Sequence, residues 1–122
     1  MARILVVDDE EQVRTMVGIA MSRAGHDVVE AANGVEAWNL YQEQRADLVI
    51  TDIVMPEKEG IELIQELRAD DPEAKIIAIS GGGRYGPDDY LVAAKNLGAA
   101  RTFAKPFRVD ELLAAVAELL GE

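Results

Sequence analysis

The sequence contains no cysteine, which excludes disulfide bonds and thiol chemistry. It also lacks any apolar run near the ~20 residues that a bilayer-spanning helix needs, and its opening MARILVV holds too few apolar residues for a secretory h-region. Both absences predict a soluble cytoplasmic protein with no membrane partner. Positive charge is scarce, since 12 Lys and Arg stand against 23 Asp and Glu, for a formal net charge of -11. Nucleic-acid binding needs a basic face to meet the phosphate backbone, so nucleic acid is not an expected partner. Histidine occurs once, as His26 in a turn between Gly25 and Asp27, where it is expected to be exposed or locally bonded.

What is present reads as one domain spanning 1–122, long enough for a single sizeable core. Short runs rich in Val and Ile at Ile4 to Val7, Leu48 to Thr51 and Ile76 to Ile79 have the character of strands buried on both faces. Shorter and more polar candidates at Val28 to Ala31 and Thr102 to Ala104 suit sheet edges. Between the strands the period lengthens. Val13, Met16, Val17, Ala20 and Met21 form a helical stripe ended by Gly25, and further helices fit Val35 to Gln44, Ile61 to Ala69, Asp88 to Leu97 and Asp110 to Leu120. Met16 and Met21 on the first helix and Trp38 on the second are expected in the core. Strand and helix alternating with short connections imply an α/β fold, with parallel strands joined by right-handed crossovers and helices on both faces of one sheet.

In such a sheet ligands bind beyond the carboxyl ends of the strands. The first strand ends in Asp8-Asp9, the third in Asp52, the fourth in Ser80 and the fifth in Lys105-Pro106, so one crevice should receive all five polar side chains. Crowded carboxylates repel unless one takes up a proton or a cation joins them. Hard oxygen ligands favour Mg2+, which leaves a coordination position for a substrate phosphate. An aspartate at the end of a rigid central strand, already ionised at neutral pH, can attack phosphorus as a carboxylate nucleophile and form an acyl phosphate. A lysine beside it would neutralise developing charge.

The motifs ILVVDDE at 4–10, DIVMPEKEG at 52–60, IIAISG at 76–81 and FAKPF at 103–107, taken together and in this order, resemble the response-regulator receiver domains of two-component signalling. The resemblance covers essentially the whole chain. It implies a flavodoxin-like receiver fold with five parallel strands in the order 2-1-3-4-5. It also implies that Asp52 is the phosphoacceptor, that Asp9 binds Mg2+ directly and Asp8 through a water, and that the Val54 backbone carbonyl is a further metal ligand. Ser80 matches the hydroxyl residue that bonds a phosphoryl oxygen, Lys105 matches the lysine that pairs with the phosphate, and Pro106 implies a cis peptide. The phosphate would come from a partner histidine kinase or phosphotransfer protein, because the lone His26 is not set as a kinase phosphohistidine.

Two features depart from the family pattern. The position three residues before Lys105, where family members carry a switch aromatic, is Thr102, and Phe103 lies one residue late. On a strand that offset turns the ring to the opposite face, toward the core. The loop after Ser80 is also longer than usual in the family. With the flexible run Gly81 to Gly83, and with Tyr85 and Tyr90 as candidate reporters, residues 81–90 become the expected switch.

Other readings of the same residues remain open. Asp8 and Asp9 could serve only as a helix N-cap pair, and Ser80 only as a turn residue. Among functions, a switching receiver without an output domain of its own, signalling by protein contact and modifying only itself, is the leading expectation. A phosphorelay intermediate, a phosphate sink and a Mg2+-dependent aspartyl phosphohydrolase are the alternatives. The last is disfavoured because Asp8-Asp9-Glu10 breaks the Asp-x-Asp pattern of haloacid dehalogenases.

Overall fold

The computed structural model describes residues 2–53, 60–80, 92 and 94–121. Strands β1 (Arg3–Val7), β2 (Asp27–Ala31), β3 (Leu48–Asp52), β4 (Ile76–Ser80) and β5 (Arg101–Ala104) form one sheet in the order β2-β1-β3-β4-β5. Every pairing in it is parallel. The helices are α1 (Glu11–Arg23), α2 (Gly34–Glu43), α3 (Gly60–Asp70), a fourth helical stretch described over 94–96 (α4), and α5 (Val109–Leu120).

The period-2 alternation of the central strands sorts the core into two layers. Leu5 and Val7 of β1, Val49 of β3 and Ile76 and Ala78 of β4 pack with Ala37 and Tyr41 of α2 and Leu63, Ile64 and Leu67 of α3. Their neighbours Ile4, Val6, Leu48, Ile50, Ile77 and Ile79 face the other way, against Val17 and Met21 of α1 and Leu112, Ala115 and Val116 of α5. β3 and β4 are buried at every position, as interior parallel strands must be, while edge strands β2 and β5 are mixed. Gly25, Gly98 and Gly121 follow helices α1, α4 and α5 with φ of 96°, 116° and 77°, the left-handed stop that favours glycine.

Two sequence expectations need correction. Met16 is 41% exposed, because α1 turns Val17, Gly18 and Met21 to the sheet and leaves Met16 and Ile19 at the rim facing solvent. His26 is buried and not exposed: its backbone N–H donates locally to the Met21 carbonyl at 3.1 Å, and its Nδ1 accepts a 3.3 Å hydrogen bond from the backbone N–H of Ala2, a residue of the chain start that lies beside the α1–β2 turn. Trp38 is half-buried, packed against the core and stacked on Tyr41 with ring centroids 6.1 Å apart. No helix among the described residues is long and apolar enough to cross a membrane.

Candidate functional site

The register of the sheet sets the site. Thr51 of β3 pairs with Val7 of β1, so Asp52 and Asp8, each one residue further, emerge side by side at the carboxyl end of the two central strands. Asp52 also pairs with Ile79 of β4, and the Lys105 N–H donates to the Ser80 carbonyl at 2.8 Å, which carries the chain after β5 to the same rim. The Lys105-Pro106 peptide is cis. Sequence-remote groups therefore converge because parallel strands all end on one side.

Asp8 and Asp52 are buried, with 2% and 4% exposure. Between them lies the Lys105 ammonium, its Nζ 3.2 Å from Asp52 Oδ2 and 3.0 Å from Asp8 Oδ2. Its shortest contact, 2.7 Å, is to Glu10 Oε1. Burial alone would disfavour the Lys105 charge, but the hydrogen bond to Glu10 and the charges of Asp52 and Asp8 outweigh it and raise the lysine pKa. The amine is therefore a fixed cation at any physiological pH.

Burial pushes the Asp8 carboxyl above its ordinary 3.8, against the opposing pull of the Glu10 backbone N–H and of Lys105. That N–H donates to Asp8 Oδ1 at 2.9 Å, and the Arg14 guanidinium donates to the Asp8 carbonyl at 2.8 Å, so the β1–α1 turn is held from two sides. Because the folded pKa lies above the unfolded one, the folded chain binds this proton more tightly. The associated stability is complete below the unfolded pKa and is lost as pH rises through the folded value. At neutral pH the Asp8 carboxylate is thus a cost to folding. In metal-free buffer at neutral pH, Asp8→Asn, which keeps the acceptor for the Glu10 N–H, should raise the unfolding midpoint by about 3 °C. The advantage should shrink as pH falls through the raised pKa. An unchanged or lower midpoint by calorimetry would contradict this.

The sequence-predicted residues are not all gathered equally. Asp8, Asp52 and Lys105 meet. Asp9 is exposed, and the three carboxylates with oxygens within 4.8 Å of one another, among the described residues, are those of Asp8, Glu10 and Asp52. Such an all-oxygen set fits a hard divalent cation. Ser80 is fully buried at the end of β4, and its Oγ has no hydrogen-bond partner among the described residues. Val54, Gly81 to Gly83, Tyr85 and Tyr90, with the expected loop switch, lie outside those residues.

The N-cap reading of the acid pair does not hold. The residue at the start of α1 with extended backbone is Glu10, and no side chain caps that end. Thr102 pairs with Ala78 of β4, while Phe103 pairs with Ile79 and packs into the α1–α5 layer, near Phe107. The one-residue offset thus does send the ring to the opposite face. Glu10 is the residue that motif reading passed over. Its signal was visible as a third acid in Asp8-Asp9-Glu10, but nothing local says that this side chain folds back over the crevice.

Against known proteins, residues 4–117 match the response regulator receiver domain. The chain is 39% identical over 117 residues to the chemotaxis protein CheY of Listeria monocytogenes, covering 95% of this chain and 96% of that one. It is 34% identical over 118 residues to sporulation initiation phosphotransferase F of Bacillus subtilis, covering 97% and 93%. Among solved structures, the receiver domain of NtrX from Brucella abortus superposes with a TM-score of 0.89 at 31% identity, covering 97% of this chain and 98% of that one. Of a longer NtrX chain from the same organism this sequence spans 27%.

Proposed function

Because this chain belongs to the response regulator receiver domain family of two-component signalling, we propose that it accepts a phosphoryl group on Asp52 from a partner histidine kinase or phosphotransfer protein and signals by protein contact. The observation that carries the reading is the Asp52 carboxylate itself, buried at the end of central strand β3 with Lys105 Nζ 3.2 Å from its Oδ2. In the reaction an Asp52 oxygen attacks phosphorus, the P–N bond to the donor imidazole breaks as the O–P bond forms, and the imidazole keeps the electron pair and takes up a proton. Lys105 neutralises charge on the phosphoryl oxygens. The buried Ser80 hydroxyl, which has no hydrogen-bond partner among the described residues, is available to donate to one of them.

Asp9, Asp52 and the Val54 carbonyl, with Asp8 through a water, are the proposed holders of Mg2+; of these, Asp8 and Asp52 belong to the carboxylate cluster described above and Asp9 does not. When bound, that ion would offset the charge of the carboxylates and of the phosphate. Residues 1–122 are proposed to act as one receiver unit, a reading supported by the near full-length match to the chemotaxis and sporulation proteins. Those two relatives act in different processes, chemotaxis and sporulation, and a phosphorelay intermediate is the second reading because sporulation initiation phosphotransferase F is among them. It would be favoured if phosphoryl passes from this chain to the histidine of a phosphotransfer protein.

The direct test is incubation with acetyl phosphate and Mg2+ followed by intact mass measurement, with a gain of one phosphoryl group expected. Lys105→Ala should still gain it, more slowly, but lose the coupled surface change, because the ion pair linking phosphate to the residues after β5 is gone. Phosphorylation-induced amide shifts on β5 and α5 that match those of wild type would refute this role.

A further inference from the structure

Glu10 is the crevice residue that the receiver reading leaves without a task. It sits at the start of α1, directly after the two acids, and its carboxylate makes the shortest of the three contacts to Lys105, 2.7 Å against 3.0 Å for Asp8 and 3.2 Å for Asp52. A lysine ammonium has three N–H donors, and three carboxylates surround this one. Two of its donors are hydrogen-bonded, to Glu10 Oε1 and Asp52 Oδ2, with Asp8 Oδ2 an ion-pair contact at 3.0 Å, so a phosphoryl oxygen coming to Lys105 competes with carboxylates already there.

The three partners differ in how easily they leave. Asp8 is buried and its other oxygen accepts from the Glu10 N–H, and Asp52 is fixed by the end of β3. The Glu10 side chain is 60% exposed and needs only a rotation into water. Once Asp52 is loaded, a Glu10 carboxylate left in place would also stand beside a second anion.

We propose that Glu10 is a latch on Lys105: in the unloaded protein it holds the ammonium in a three-carboxylate cluster, and it must release before Lys105 can pair with a phosphoryl group on Asp52. Glu10 is thus a positioning residue that acts through Lys105 and sets how readily the receiver loads. It acts on the unloaded state, so it should govern acceptance and not the survival of the acyl phosphate. The inference rests on the receiver reading of Asp52.

The test compares wild type with Glu10→Gln, which keeps length and polarity and removes the charge. Beryllofluoride, a phosphoryl mimic, is titrated in Mg2+ and followed by amide shifts, and loading from acetyl phosphate and subsequent decay are timed by intact mass. Glu10→Gln should bind beryllofluoride about three- to fivefold more tightly and load faster by a similar factor, the size of a partly exposed ion pair. The decay rate of the acyl phosphate should be unchanged. A purely structural role for Glu10 would move the unfolding midpoint instead and leave the ratio of loading to decay alone.

Equal or weaker beryllofluoride binding with unchanged loading overturns the latch. So does slower decay with unchanged loading, which would make Glu10 a participant in hydrolysis. Failure of wild type to gain a phosphoryl group, or its gain by Asp52→Asn, would instead overturn the receiver reading, so the two failures are distinguishable.

Discussion

Asp52→Asn should take up no phosphoryl group from acetyl phosphate in Mg2+, with loading falling at least about a thousandfold. An amide oxygen at position 52 retains the shape of the side chain but not the charge or nucleophilicity that attack on phosphorus requires. The replacement is isosteric and Lys105 keeps Asp8 and Glu10 as partners at 3.0 and 2.7 Å, so the fold should survive and the loss can be ascribed to chemistry. Intact mass after incubation, alongside far-UV circular dichroism, measures both. A wild-type mass gain in Asp52→Asn would mean that another carboxylate is the acceptor, and would remove the basis for reading the crevice as a phosphoacceptor site.

Gly60→Ala should be the most damaging single-methyl change among Gly18, Gly25, Gly60, Gly98 and Gly121. A Cβ at this position would fall on the Asp52 carbonyl oxygen and lie 2.6 Å from Ile53 Cα, both of them backbone that cannot rotate away. The Gly60 N–H donates to the Ile53 carbonyl at 3.0 Å, which draws the start of α3 down onto the end of β3. Relief of the clash would lift α3, whose Leu63, Ile64 and Leu67 are completely buried, and would shift Asp52 with it.

A destabilisation of about 3 kcal/mol is expected, lowering the unfolding midpoint by roughly 10 °C or more, together with slower loading of Asp52. Gly121→Ala is the comparison. Its φ of +77° is unfavourable for alanine, but among the described residues no atom beyond its chain neighbours and its own helix backbone lies within 4 Å of the added methyl, so its cost should stay near 1 kcal/mol. Chemical denaturation of the two variants checks the order, and a Gly60→Ala midpoint equal to or above that of Gly121→Ala would show that the close approach is not a real constraint.

Gly60 also marks a limit of reading from sequence, because Met-Pro and Gly in ITDIVMPEKEG were legible as a turn while the reason for this glycine was not. Turn signals report local backbone freedom. The need for a missing side chain here comes from how closely α3 approaches β3, a distance set by packing.

The sheet was legible to within a residue or so at most strand ends, because a strand buried on both faces leaves a continuous apolar run and its end is marked by the first polar residue. The parallel arrangement followed from strand–helix alternation, and with it the expectation that Asp8, Asp9, Asp52, Ser80 and Lys105 meet at one rim, of which Asp9 proved exposed and outside the carboxylate cluster. Periodicity, however, states which residues share a face and not what packs against that face. The stripe on α1 therefore named Met16 as core, although the sheet and α5 cover only Val17, Gly18 and Met21 and leave Met16 exposed. His26 read as a turn residue and became buried because the backbone of Ala2 runs beside it.

The largest gap is at the crevice itself. Glu10 and Lys105 are 95 positions apart, and their 2.7 Å contact depends on how the turn after β1 and the turn after β5 are brought together by β3 and β4 between them. Residue types and strand ends foretold that acids and a lysine would gather, since those are properties of the chain read locally. Which acid takes the shortest contact with the lysine is a matter of side-chain reach across elements distant in sequence, and it exists only once the whole sheet is assembled.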